Sequence, residues 1–501
     1  MTREIESVQI GLGQTSIAEI KFNTKSRDDI PKILKGLQYI YVTDSVRKPI
    51  FKLLEEKILP NVNKNNGRPG LSLWKIFVMG VLRLDLNCDY DRLEELVNHH
   101  DTVRQMLGHD KYFDAAVYQV QTIKDNVRLL TPELLEEINT LIVQAGHELL
   151  GKKKESEPLR GRCDSFVLET NVHYPTDINL LYDAMRKVIQ LTAQLSDGNQ
   201  LSDWRQSVYN VKQIKRLMRI AQQKKRAAGK TEKQKAQCAQ SIVQAHQELL
   251  NLSQRFLDKS AVTLKKLADL KVPFSTMDVV LIDNISQFTA HADRQINQIT
   301  RRVLQSETIP HNEKVFSIFQ PHTEWISKGK AGVPVELGVR VCVLEDHHQF
   351  ILNHRVMVKE TDVDVAVSMV TEAKKYFSQL SSCSFDKGFH SKDNQIALSA
   401  QLDVVALKRK GKRSNKVKEI ESSADFKKAH YKHSAVESAI NALEIHGLDT
   451  CRDHGIDGFK RYVALALVTR NIHRIGDIIT KKEQKKFARQ QCRNGTLALA
   501  A

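Results

Sequence analysis

The feature that most constrains this chain is a strand-rich pattern interrupted by a long stretch that reads as helix. Asp164–Val172 (DSFVLETNV) is dense in apolar and β-branched residues and predicts a strand. From Ile178 to about Leu304 nearly every window is polar, long-periodic and helix-compatible. Strands then return. Val335, Leu337, Val339, Val341 and Val343 alternate with different neighbours, as a sheet with one buried face requires. A polar turn at 345–349 leads to a return strand over Phe350–Val358. A helix follows, with Asp362 as its cap and Val363, Val367, Val370, Ala373, Phe377 and Leu380 as its apolar stripe. Ser384–Gly388 predicts a short buried strand that ends at a carboxylate and turns on glycine. A helix near 391–401, a strand at Val404–Leu407, a helix over about 431–446 and an amphipathic helix over Phe459–Ile475 complete the pattern. Without the insert, the order is strand, hairpin, helix, strand, helix, strand, helix, an α/β arrangement.

Ahead of the first strand, residues 1 to about 60 carry no recognisable chemistry. Leu71, Leu73, Ile76, Phe77, Val81 and Leu84 recur at helical spacing, Leu93, Leu96 and Val97 follow, and a further helix is expected from Asp114 through Leu130. That helix presents Gln119, Gln121, Lys124, Asn126 and Arg128, side chains able to reach phosphates or base edges. Periodicity alone fits a helix-turn-helix module and an ordinary helical bundle equally. Residues 151–162 (GKKKESEPLRGR) read as a linker. The expected organisation is therefore a helical module over 1–150, a linker and first core strand over 151–177, an insert over 178–304, the rest of the core over 305–476 and a basic tail over 477–501.

Charge narrows the function. Lys and Arg number 76 against 59 Asp and Glu, a formal charge of +17 and a pI near 9.4, which points to a polyanionic partner. Eleven basic residues and one acid, Glu232, lie between Arg205 and Lys235, a pattern shared by solvated helix faces and phosphate-tracking ones. No run approaches the roughly 18 apolar residues of a membrane span. The first residues lack a signal-peptide pattern. Seven scattered cysteines form neither a disulfide framework nor a CxxC zinc pattern. The expectation is a reduced, cytoplasmic, soluble protein with no membrane partner.

Three carboxylates sit at informative places: Asp164 on the first strand, Asp386 at the end of a later strand and Glu437 on a later helix. Hard divalent ions such as magnesium take oxygen ligands, usually one or two carboxylates with water and substrate phosphates. A pair of such ions activates the attacking oxygen and stabilises the leaving one in phosphoryl transfer. Glu169, five residues beyond Asp164, points to the opposite face of an extended strand. Glu444 lies about two helical turns beyond Glu437 on the same face, so helix geometry leaves those two open.

Three strings carry a resemblance: CDSFVLETNVHYPTDINLLYDAMRKV (163–188), PHTEWISKGKAGVPVELGVRVCVLEDHHQFILNHRVM (321–357) and HSAVESAINALEIHGLDTCRDHG (433–455). They resemble DDE-type transposases of bacterial insertion sequences, most closely the ISNCY-like group, and the resemblance extends over most of the chain. It implies an RNase H-like catalytic core, a mixed five-stranded sheet with helices, interrupted by an insert and preceded by an all-α helix-turn-helix-type module. It implies Asp164, Asp386 and Glu437 as both the catalytic residues and the ligands of Mg²⁺, with Mn²⁺ as a substitute. It also implies double-stranded DNA as partner, both the insertion sequence's ends and the target, and a homodimer or larger assembly on DNA. A related group of transposases carries Tyr-x2-Arg-x3-Glu-x6-Lys around the glutamate; here His430, His433 and Glu444 stand at those positions. What the Tyr, Arg and Lys do in that group does not transfer.

Further residues fit a DNA enzyme. The loop Lys408–Lys418 holds seven basic residues in eleven, and Lys408, Arg409, Lys410, Lys412 and Arg413 are read as phosphate contacts against a merely solvated loop. Lys387 follows Asp386 directly. Trp325, with Lys328 and Lys330 after it, either stacks on an unpaired base or packs under the sheet edge. His173 and Asp177 flank the first strand's exit and read as turn-capping or supporting residues. The rival functions are a non-catalytic DNA-binding protein that keeps the fold, and a metal-dependent nuclease that cuts without joining.

Overall fold

Among the described residues, seven α-helices precede the first strand: α1 (Ile30–Val42), α2 (Asp44–Ile58), α3 (Leu73–Asp85), α4 (Tyr90–His99), α5 (Asp101–Met106), α6 (Val120–Val127) and α7 (Pro132–Leu150). The computed structural model describes residues 14–23, 26–59, 70–110, 116–151, 157–226, 231–269, 273–327, 334–412 and 414–498. In α3 every residue but Lys75 is buried, so this helix is the axis on which α4 and α6 pack. The helix expected from Asp114 is shorter than its pattern: residues 116–119 are not helical, and Gln119 caps α6.

Among the described residues the sheet has seven strands, two more than expected: β1 (Leu159–Thr170), β2 (Glu324–Ser327), β3 (Val335–Asp346), β4 (Ile351–Met357), β5 (Leu380–Phe385), β6 (Val404–Leu407) and β7 (Thr450–Cys451). The additional β2 and β7 are four and two residues long, too short for alternation to register. The order is β2-β3-β1-β5-β6, with β4 beside β3 and β7 beside β1. β3 runs antiparallel to β1, β2 and β4, whereas β5, β6 and β7 run parallel to their neighbours. β1 begins at Leu159, inside the stretch read as linker, because Leu159–Arg162 pair with β5 and β3. The face expected to stay open on β3 is also covered: Cys342 and Leu344 are as buried as Val341 and Val343.

Helices α12 (Asp362–Tyr376), α13 (Lys392–Ser399), α14 (Asn415–Ser422), α15 (Ala424–Tyr431), α16 (Ala435–Leu443) and α17 (Gly455–Ala498) belong to the same body. α17 packs along α1, α3 and α7, and one apolar cluster links the N-terminal helices, the sheet and α17. Gly36 and Gly476 allow that crossing: a Cβ on Gly36 meets the Ile472 carbonyl, and one on Gly476 meets the Lys32 carbonyl.

The chain divides into two units, residues 1–171 with 324–501, and residues 172–323. The second is a helical body of α8 (Asp177–Gly198), α9 (Ser207–Arg226), α10 (Glu232–Asp269) and α11 (Thr276–Ile299), with its own apolar clusters. Two buried polar pairs lie in its core, Trp204 Nε1 donating to Thr263 Oγ1 (2.9 Å) and Thr192 facing Ser260 (2.8 Å). No described helix is long and apolar enough to cross a membrane.

Candidate active site at the end of β5

Strand register creates the site. Cys163 on β1 pairs with Phe385, the last residue of β5, so Asp164 and Asp386 are the next positions on two adjacent parallel strands. β5 ends there while β1 runs on beside β3, which leaves a gap next to Asp164. Asp386 turns the chain, its Oδ2 accepting from the Gly388 amide (3.4 Å). Glu437 lies in the first turn of α16, which packs on β1. Glu444 falls one residue past the end of α16, in a π-helical turn.

Sequence reading missed a fourth carboxylate. Asp362 was expected to cap its helix, but Thr361 takes that role, its amide and hydroxyl both donating to Asp364 Oδ2 (2.8 and 2.7 Å). Asp362 is thereby released toward β1, where Oδ1 accepts from Ser165 Oγ at 2.6 Å. Its Oδ2 lies 2.9 Å, and Asp386 Oδ2 3.6 Å, from the point where a side chain on Gly388 would begin. A side chain at Gly388 would push the Asp362 carboxylate from its place. The signal available in the sequence was the neighbouring Thr361-x2-Asp364 box, which makes an Asp362 cap redundant.

The electrostatics follow from this convergence. Burial pushes the half-buried Asp164 carboxyl up to about 6, and the charges of Asp386, Asp362 and Glu437 push the same way; the Ser165 amide, 2.8 Å from Oδ1, opposes them. His433 Nδ1 lies 3.1 Å from Ser384 Oγ. Burial lowers the His433 pKa, while Asp386 and Glu437 partly offset that effect. His430 is lowered by burial and by Lys408. Two imidazoles thus stand beside the acids at the positions where the related signature has Tyr and Arg. A cavity of about 790 Å³ adjoins them, lined in part by Arg160, Arg162, Ser382, Ser384, Lys428 and Lys432.

The donor set is all carboxylate, the chemistry of a hard ion such as Mg²⁺ or Mn²⁺. Clustered negative charge around half-buried Asp164 is also what a divalent cation relieves. The acids do not crowd into one ligand shell. Among the described residues, the only metal-ligating group whose atoms all lie within 4.8 Å of one another is Asp85, His446 and His473, away from this gap.

The expected DNA contacts divide. Lys410 Nζ donates to the Gly388 carbonyl (2.8 Å), at the turn that carries Asp386. Lys408 acts electrostatically on His430, and the Arg409 amide donates to Glu421 Oε1 (3.1 Å). Lys387 and Lys412 are exposed. Lys328, Lys330 and Arg413 lie outside the described residues. Trp325 is half-buried on edge strand β2, opposite Leu337, whereas Asp164 pairs with Val343 farther along β3. It therefore sits apart from the acids. On α6, Gln121 is exposed and donates to Asp125 (2.7 Å), Arg128 approaches the same carboxylate (4.0 Å), and Lys124 is half-buried. Asn126 does not face outward; it is buried, bonded to the Thr122 carbonyl (2.7 Å). In the insert, His173 approaches Asp183 (3.4 Å), and Asp177 opens α8 and pairs with Arg302 (2.8 Å).

Scans of family models, curated proteins and solved structures return no match to this chain.

Proposed function

We propose that this protein is a DNA transposase of the DDE type, built on an RNase H-like core, that cuts and joins the ends of an insertion sequence. One observation carries the reading: Asp164 and Asp386 directly follow the paired residues Cys163 and Phe385 on adjacent parallel strands, and the helix that carries Glu437 packs on the same strand β1. The string resemblance and the charge of +17 support the same reading.

Asp164, Asp386 and Glu437 would hold Mg²⁺, with Asp362 beside them. Bound there, it would activate the attacking oxygen and stabilise the leaving one. The chain's own groups do the rest. Ser165 fixes Asp362 through its hydroxyl and Asp164 through its amide. Lys410 steadies the Asp386 turn and adds positive charge for a phosphate. His433, neutral at neutral pH, is placed to hydrogen-bond a strand lying in the gap. Exposed residues on α4 and α6, packed on α3, read the terminal repeats as a helix-turn-helix-type module. Two ends require two such sites, hence a dimer or larger complex on DNA.

Labelled DNA carrying the insertion sequence's ends tests this. Nicking at the end boundary is expected with Mg²⁺ or Mn²⁺ and absent with a chelator. End binding without nicking under every metal condition would favour the non-catalytic DNA-binding reading, and nicking without joining a nuclease.

A further inference from the structure

Away from the acidic gap, Asp85, His446 and His473 bring one ligand atom each within 4.8 Å of the others, and all three residues are buried. They come from distant parts of the chain. Asp85 ends α3, His473 lies within α17, and His446 lies in the π-helical turn Glu444–Leu448 that follows α16. That turn is bent to deliver it: Gly447 adopts φ 102°, and its carbonyl accepts from Tyr462 Oη (3.1 Å).

The Asp85 side chain is fully buried. His473 Nδ1 lies 2.8 Å from its Oδ1, but Oδ2 has no hydrogen-bond partner. The buried arginine of the same helix does not neutralise it, because Arg83 is committed to Asp453 (2.8 Å). A proton on His473 satisfies one oxygen and leaves the other bare, an arrangement protein interiors avoid. Asp29 and Asp477 add further negative charge around His473. His446 Nδ1 donates to the main-chain carbonyl of Asp85 (2.6 Å), the kind of contact that orients a metal-bound imidazole and leaves Nε2 with its lone pair.

We propose that Asp85, His446 and His473 form a structural site for a divalent transition-metal ion of the zinc class. Two imidazoles and one carboxylate suit a borderline ion rather than magnesium. The ion ties the end of α3 to α17 and to the turn behind α16, the helix that carries Glu437. The proposal is independent of the catalytic reading.

The test is titration of chelator-treated full-length protein with Zn²⁺ and, separately, Co²⁺. The expected result is one tight equivalent, intense visible d–d absorption with Co²⁺, and a higher melting temperature with Zn²⁺. His446→Gln with His473→Gln should weaken binding at least tenfold and abolish the absorption, while Asp386→Asn leaves both unchanged. Wild-type protein without a Co²⁺ spectrum overturns the site whatever the variants do. So does binding that persists in the double variant, which would mark adventitious metal.

Discussion

Asp164 shows how one residue links the sequence to testable chemistry. Its carboxyl, held near 6 against an ordinary value of 3.8, keeps its proton in the folded chain at pH values where the unfolded chain has released it. The associated stability is present below about pH 4 and is lost as pH rises through about 6. Asp164→Asn removes that dependence. Metal-free Asp164→Asn protein should therefore gain on wild type between pH 4 and 7, by at most about 3 kcal/mol. Urea unfolding at both pH values measures this, and parallel curves would contradict it. In the proposed function Asp164 acts ionised, so DNA cleavage measured against pH should be lost on acidification, and a flat profile would contradict that role. Asp164 and Asp386 were legible because each closes or occupies an apolar strand. Asp362 was not, since an acid at a helix start reads as a cap until its neighbours are seen to do that work. Gly388→Ala should impair cleavage at least tenfold with DNA binding retained, because its methyl group would sit 2.9 Å from Asp362 Oδ2. Near-normal cleavage would show that the two carboxylates tolerate separation.

Among the structural elements, long periodic patterns and compact apolar runs were readable, and short strands with neither were not. The β3–β4 hairpin and α12 follow from alternation and an apolar stripe and β6 from its apolar run, whereas β5 was misplaced: Leu380, read into the helix stripe, opens the strand, which ends at Phe385 rather than running over 384–388. The two- and four-residue strands β7 and β2 carry too little pattern, and the Arg-flanked start of β1 looks like linker because its strand character comes from pairing with β5. The full extent of α17 was hidden by its polar second half, which extends the helix to Ala498. Its first half is held by close backbone approach to α1. Gly476→Ala should destabilise the protein by about 1–3 kcal/mol or more, since the added methyl meets the Lys32 carbonyl with no room to yield. A change within about 0.5 kcal/mol in urea unfolding would mean that the crossing relaxes.

For the whole molecule, the formal charge of +17 and the basic stretch of the helical insert support the proposed DNA partner, and the gap at the end of β5 supports the proposed chemistry. The polar long-period run over 178–304 falls within the helical unit of residues 172–323. DNA affinity should fall steeply with salt, by roughly 10³–10⁵ between 50 and 200 mM if six to ten phosphates are contacted. Replacing Lys408, Lys410 and Lys412 together by alanine should flatten that slope by about one unit per lost contact. An unchanged slope would place these lysines off the DNA path.

The measurement that bears most directly on the central claim is strand cleavage and joining on labelled DNA carrying the insertion sequence's own ends. It compares wild type with Asp386→Ala in Mg²⁺. Wild type should cut and join, and Asp386→Ala should do neither while binding the ends with near-normal, salt-sensitive affinity. Cleavage that persists in Asp386→Ala, or end binding by both proteins with cutting by neither, would contradict a metal-dependent transposase centred on this acid.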